Sequence, residues 1–154
     1  MFITDDIRLD IGFAAAKGRL ERLGADGVLL GAAEYAYSAG TAGLVDAAGL
    51  MVGMSRLAGV RSGDLVETGG CARLCLRWDA IGPDGALFPA LDADLTLSPA
   101  GEDATVLSLA GIYRLPLQAA GLDEGTVRCF AAVTTGSFTA RLGCALSHPA
   151  GATA

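Results

Sequence analysis

Leu91-Asp92-Ala93-Asp94-Leu95-Thr96-Leu97-Ser98 decides the fold: every odd position is apolar and every even one is polar. Successive side chains of a strand point to opposite faces, so this segment has one dry face and one wet face. The same parity runs through Leu74-Cys75-Leu76-Arg77-Trp78 before it and Leu107-Ser108-Leu109 after it. It also runs through Ile7-Arg8-Leu9-Asp10-Ile11 near the start. Four such segments predict a one-sided antiparallel sheet whose apolar face something must cover.

Turn chemistry divides the rest. A first strand is expected over Ile3–Phe13, then a short helix over Ala14–Leu23, carrying Leu20 and Leu23 and ended by Gly24. Asp26 suits the N-cap of a second helix, Gly27–Ser38, with Val28, Leu29, Ala32, Tyr35 and Ala36 near one face. Gly40–Gly53 is glycine-rich, lacks a period and reads as a loop. Strands then follow at Met54–Arg61, Asp64–Thr68, Cys71–Ala80, Phe88–Ser98 and Ala104–Arg114. They are joined by Ser62-Gly63, Gly69-Gly70, Gly82-Pro83-Asp84-Gly85 and Pro99–Asp103, which means hairpins. Pro116 and Gly121 break the sheet. Leu122–Leu146 reads as a terminal helix, with Phe130, Phe138, Leu142 and Leu146 at multiples of four. Its middle, Thr134-Thr135-Gly136-Ser137, has poor helix propensity, which leaves room for a kink or a break there. The order defines one α+β domain over residues 1–147, with 148–154 as a tail. One long helix lies across a twisted sheet, and a gap between them suits an apolar ligand.

Composition narrows the partners. The chain has 154 residues, 52% of them apolar and only 18% charged, with a net charge of −6. Nucleic-acid binding rests on clustered Lys and Arg, whereas here ten Arg and the single Lys17 are scattered; neither nucleic acid nor an anionic membrane is expected. MFITDDIRLD puts Asp where a secretory signal needs basic residues and an apolar run, so a cytoplasmic location is expected. Cys71, Cys75, Cys129 and Cys144 lack Cys-x-x-Cys spacing. Cys71 and Cys75 on one strand stand about 13 Å apart, too far for one zinc or one disulfide. No phosphate-cradling glycine motif is present. No metal and no cofactor are expected.

The stretch from Cys75 to Leu117, CLRWDAIGPDGALFPALDADLTLSPAGEDATVLSLAGIYRLPL, supplies a resemblance. A tryptophan-ended strand, a glycine turn, an LFPALDADLTL strand and a G-Y-R-P-type strand end follow in that order. In this it is similar to actinobacterial members of the START-like or SRPBCC superfamily, which holds polyketide cyclases and aromatases and lipid-transfer domains. The resemblance covers Arg73–Leu117 and, beyond that, the order of elements. It implies a helix-grip fold: a curved antiparallel sheet wrapped around the C-terminal helix. It leaves function open, since binding, transport and catalysis share that fold.

Trp78 and Tyr113 share the parity of their strands' apolar residues and are expected to face the covering helix, with one polar handle each to orient a ligand ring. With Phe130, Tyr35, Leu76, Leu95, Leu109 and the strand-end Arg114 they make the expected cavity set. Core packing competes for Trp78 and Tyr113 and a surface or packing role for Tyr35, while Arg114, suited to receive a carboxylate or phenolate, reads equally as a solvated arginine. Glu34 and Tyr37 flank Tyr35 near the expected mouth. Asp92 and Asp94 resemble paired carboxylates for acid–base work, but their parity sends them to the wet face, where Arg73 and Arg77 can pair with them. His148 stands alone in the tail, and a Ser/His/Asp triad using it is not expected. The expected function is a binding protein for an apolar or aromatic small molecule. The alternative is a metal-independent polyketide cyclase or aromatase using the same cavity, with Tyr113, Tyr35 and Glu34 as proton-moving groups. Val106, Ala110 and Ile112 make the other face of the last strand apolar, which suggests a homodimer.

Overall fold

The fold is that of a computed structural model, which describes residues 1–48, 56–82, 85–114 and 123–148. Among the described residues, six strands form one antiparallel sheet: β1 (Phe2–Leu9), β2 (Arg56–Ser62), β3 (Val66–Thr68), β4 (Cys71–Ile81), β5 (Leu87–Pro99) and β6 (Thr105–Tyr113). Their order is β1-β6-β5-β4-β2, with β3 also on β4. Three helices accompany them: α1 (Phe13–Ala25), α2 (Val28–Ala48) and α3 (Glu124–Ser147). The α+β arrangement with a sheet curved about the last helix is the one expected from the sequence.

Register carries the alternation across the sheet. Leu74 pairs with Leu95, Leu95 with Leu109, and Leu109 with Asp5; one row over, Ala72, Leu97, Leu107 and Ile7 align. These rows face α3, whose Phe138, Leu142 and Leu146 are fully buried against them. Burying each such side chain contributes about 1.5–3 kcal/mol. Gly143 lets α3 settle on β1, since a Cβ there would already stand 3.2 Å from Ile7 and Leu9. At Gly111 the approach is closer still: a Cβ would lie 2.5 Å from Ala93 Cα, so β5 and β6 pinch together.

Several boundaries differ from expectation. The first strand stops at Leu9 and Phe13 opens α1, because Ile11 turns away and its carbonyl accepts a hydrogen bond from the Thr105 hydroxyl (2.8 Å). Gly24 does not end α1; the helix runs to Ala25, and the turn falls at Gly27, whose φ of 74° suits glycine. The expected loop is helical through Ala48, and 49–53 lie outside the described residues, as do Met54, Pro116, Gly121, Leu122 and the tail after His148. Packing overrides propensity at Gly40: a Cβ there would reach to 2.8 Å from the Phe130 ring, so glycine lets α2 and α3 touch.

The kink or break in α3 that its propensity leaves room for is absent. Thr134 and Thr135 turn their hydroxyls back onto the carbonyls of Phe130 and Ala131, 2.8 Å each, which satisfies both buried side chains within an unbroken helix. Asp123 caps the start by accepting from the Thr126 N–H at 2.9 Å.

Candidate ligand site between sheet and helix

Trp78 on β4 and Tyr113 on β6 lie across from each other, each paired with Leu91 of β5. Their rings meet edge to face at 6.3 Å. Phe138 of α3 meets Trp78 at 5.2 Å, and Phe130 meets Tyr113 at 5.8 Å. Tyr37 of α2 closes the group against Phe130 at 5.9 Å. Such edge-to-face pairs add about 0.5–1.5 kcal/mol beyond the area they bury. Five aromatic rings thus gather where sheet, α2 and α3 meet.

Two polar atoms in this cluster stand out. Trp78 Nε1 and the Tyr113 hydroxyl are fully buried, and neither has a hydrogen-bond partner among the described residues. Burial is the largest influence on the Tyr113 phenol and, with Tyr37 beside it, holds its pKa well above the ordinary tyrosine value. The Thr134 hydroxyl offsets part of that shift, yet it donates to Phe130 O, and no bond of hydrogen-bonding geometry reaches the Tyr113 oxygen. Tyr113 is therefore a protonated donor at neutral pH. Leaving such a group unpaired costs about 1–3 kcal/mol, so each of these atoms calls for an acceptor.

The other expected site residues fall in different places. Leu76, Leu95 and Leu109 are buried on the inner face of the sheet. Arg114 lies at the end of β6 with its side chain exposed and its N–H donating to Ala90 O at 2.7 Å. Tyr35 does not join the cluster: it is 51% exposed, with Arg141 stacked 4.5 Å above its ring. Glu34 is exposed as well. Tyr37 takes the inward place: α2 buries Leu29, Ala32 and Ala36 of the expected face but extends it through Ala33 and Tyr37, with Leu29, Ala33, Ala36 and Tyr37 at i, i+4, i+7 and i+8. That i, i+4, i+7, i+8 spacing is present in the sequence. Asp5 is a second omission. It is in phase with Ile3, Ile7 and Leu9, so it points under α3, where Thr139 donates to its carboxylate.

Asp92 and Asp94 are on the wet face with Arg77 and Arg73 at 3.9 and 3.6 Å. A β-bulge at Trp78/Asp79 brings Asp79 into the same ladder, held by Arg61 (2.7 Å) and Arg77 (3.0 Å). Desolvation pushes the Asp79 pKa up, but the hydrogen bonds from Arg77 and Arg61 outweigh it, and the carboxylate sits below its ordinary value. Among the described residues no three His, Cys, Asp or Glu side chains gather as a metal site. The four cysteines are free thiols. No described helix is long and apolar enough to cross a membrane.

No protein-family model matches the chain, and no curated protein does. Solved structures do. A conserved protein from Geobacillus kaustophilus aligns over 96% of this chain and 95% of its own, at 9% identity and a TM-score of 0.48. A START superfamily protein from Mycobacterium smegmatis aligns over 94% and 96%, at 12% identity and a TM-score of 0.43. The Zhui aromatase/cyclase of a Streptomyces species aligns over 98% of both chains, at 11% identity and a TM-score of 0.42. At these identities the likeness concerns the fold, and the chemistry rests on the residues above.

Proposed function

We propose that this protein binds an apolar or aromatic small molecule bearing a neutral hydrogen-bond acceptor, held between the sheet and α3. One observation carries the reading: Trp78 Nε1 and the Tyr113 hydroxyl are buried donors, on rings that meet edge to face, without a partner among the described residues. A carbonyl-type oxygen would satisfy them, while the rings of Phe130, Phe138 and Tyr37 favour an apolar body. Catalysis as a cyclase or aromatase finds less support. A phenol whose proton is held by burial is a poor base, and Asp5 lies one strand beyond Leu109, about 13 Å along β6 from Tyr113. Free thiols support a reducing compartment such as the cytoplasm.

The test uses Trp78 fluorescence, Trp78 being the single tryptophan. We expect 2-acetylnaphthalene to quench it saturably and its carbonyl-free analogue 2-ethylnaphthalene to bind about tenfold more weakly. Tyr113→Phe should abolish that preference while leaving the fold as stable as before, or about 1–3 kcal/mol more stable. Equal affinity for both probes, or no saturable response, would overturn the reading.

Association of two copies is part of the same proposal, seated on the outer face of the sheet. Phe2 and Ile112 are cross-strand partners there, 71% and 45% exposed. Sedimentation equilibrium should give a dimer for the native chain and a monomer for Ile112→Lys; a monomeric native chain would remove this part.

A further inference from the structure

A groove of about 740 Å³ runs along the outside of the molecule between α2 and α3, on the side of the helices away from the sheet cluster. The helices run antiparallel: Gly40 approaches Thr134, Tyr35 lies under Arg141, and Val28 and His148 share the far end. Where Gly40 lets the backbones touch, no groove opens. Toward Val28 the facing residues are Gly31, Ala32, Gly136 and Ala140, too small to fill the space between the helices.

The electrostatics of this groove are one-sided. Among the described residues its lining contains no Asp or Glu, and Arg141 is the permanent cation there. No carboxylate among the described residues pairs with that guanidinium, as none does with Arg8, Arg19, Arg22, Arg56 or Arg114; of these six, Arg141 is the one that lines the groove. Stacking on Tyr35 orients the guanidinium at the groove without using its N–H donors. Ser137 adds a hydroxyl alongside. His148 closes the end: its backbone N–H donates to Cys144 O (2.9 Å), and its Nδ1 lies 3.3 Å from the same oxygen.

We infer that this groove is a second ligand site, separate from the aromatic cluster, and that it takes an organic carboxylate. The carboxylate meets Arg141 in the bidentate geometry a guanidinium offers. The apolar body of the ligand lies on Ala32, Ala140 and Ala145. A purely apolar ligand would leave the guanidinium unanswered. A small inorganic anion would leave the floor empty.

Three probes read by amide NMR of the intact chain test this. Decanoate should shift Gly31, Gly136 and Ala140 saturably; decanol and acetate, each lacking one half of the chemistry, should do so at least about tenfold more weakly. Arg141→Gln should weaken decanoate about tenfold and leave decanol unchanged. Arg141 is exposed, so the variant should fold, and an unchanged melting temperature checks that. The Tyr113→Phe protein should bind decanoate as the native chain does, which separates this site from the inner one. Shifts confined to the inner face, around Leu109 and Phe130, would overturn the inference. So would decanoate binding at the groove that is indifferent to Arg141→Gln.

Discussion

Two tyrosines on one helix have opposite fates. Tyr35 and Tyr37 are two residues apart, roughly 200° around an α-helix, so only one can face the sheet. The sequence contained both options, and the choice turned on whether Leu29 or Val28 anchors the buried stripe; tertiary packing against Phe130 decides for Tyr37. Strand residues were easier, because a period of two leaves a single alternative, and Trp78 and Tyr113 therefore fall on the face their parity requires. Asp79 illustrates a residue effect that no parity carries, since its two arginines come from a bulge and from β2. Its folded-state pKa is lowered, so the stabilisation it gives is present above the unfolded carboxylate value and disappears as pH falls through the folded one. Asp79→Asn should therefore flatten the loss of stability below about pH 5, measured by urea unfolding across pH. An unchanged acid profile would mean that the Arg61 and Arg77 contacts contribute nothing in solution.

Elements were legible where their pattern is local and misread where a neighbour supplies the reason. The hairpins from Cys71 to Tyr113 follow from alternation and glycine turns. The second half of α2 does not: Gly40 and Gly43 argue for a loop until α3 is placed beside them. The Thr134-Thr135 step likewise argues for a break until the hydroxyls are seen bonding to their own helix. Glycines at the two helices test this distinction directly. Gly40→Ala should destabilise by about 1–3 kcal/mol, because its Cβ would overlap Thr134 and Phe130. Gly136→Ala meets nothing within 4 Å and should stabilise α3 by about 0.5–1 kcal/mol. Thermal unfolding of the two variants should move in opposite directions, and a shared direction would refute the close crossing of α2 on α3.

For the whole molecule, the one-sided sheet and its covering helix were readable because a single apolar face must be buried somewhere, and only Leu122–Leu146 offered a helix long enough. The outer groove was not readable. It arises from small residues on two helices whose relative register no local pattern states. The sheet order has a further consequence. β1 pairs along its whole length with β6, Leu9 opposite Thr105 and Phe2 opposite Ile112. On a ribosome adding about 5–20 residues per second, β1 waits roughly 5–20 s for its partner. Throughout that interval Ile3, Ile7 and Leu9 have no sheet to join and α3 does not yet exist. β1 is thus made well before β6 and finds its place only after it, and until then its apolar residues stand beside the charged Asp5, Asp6 and Arg8.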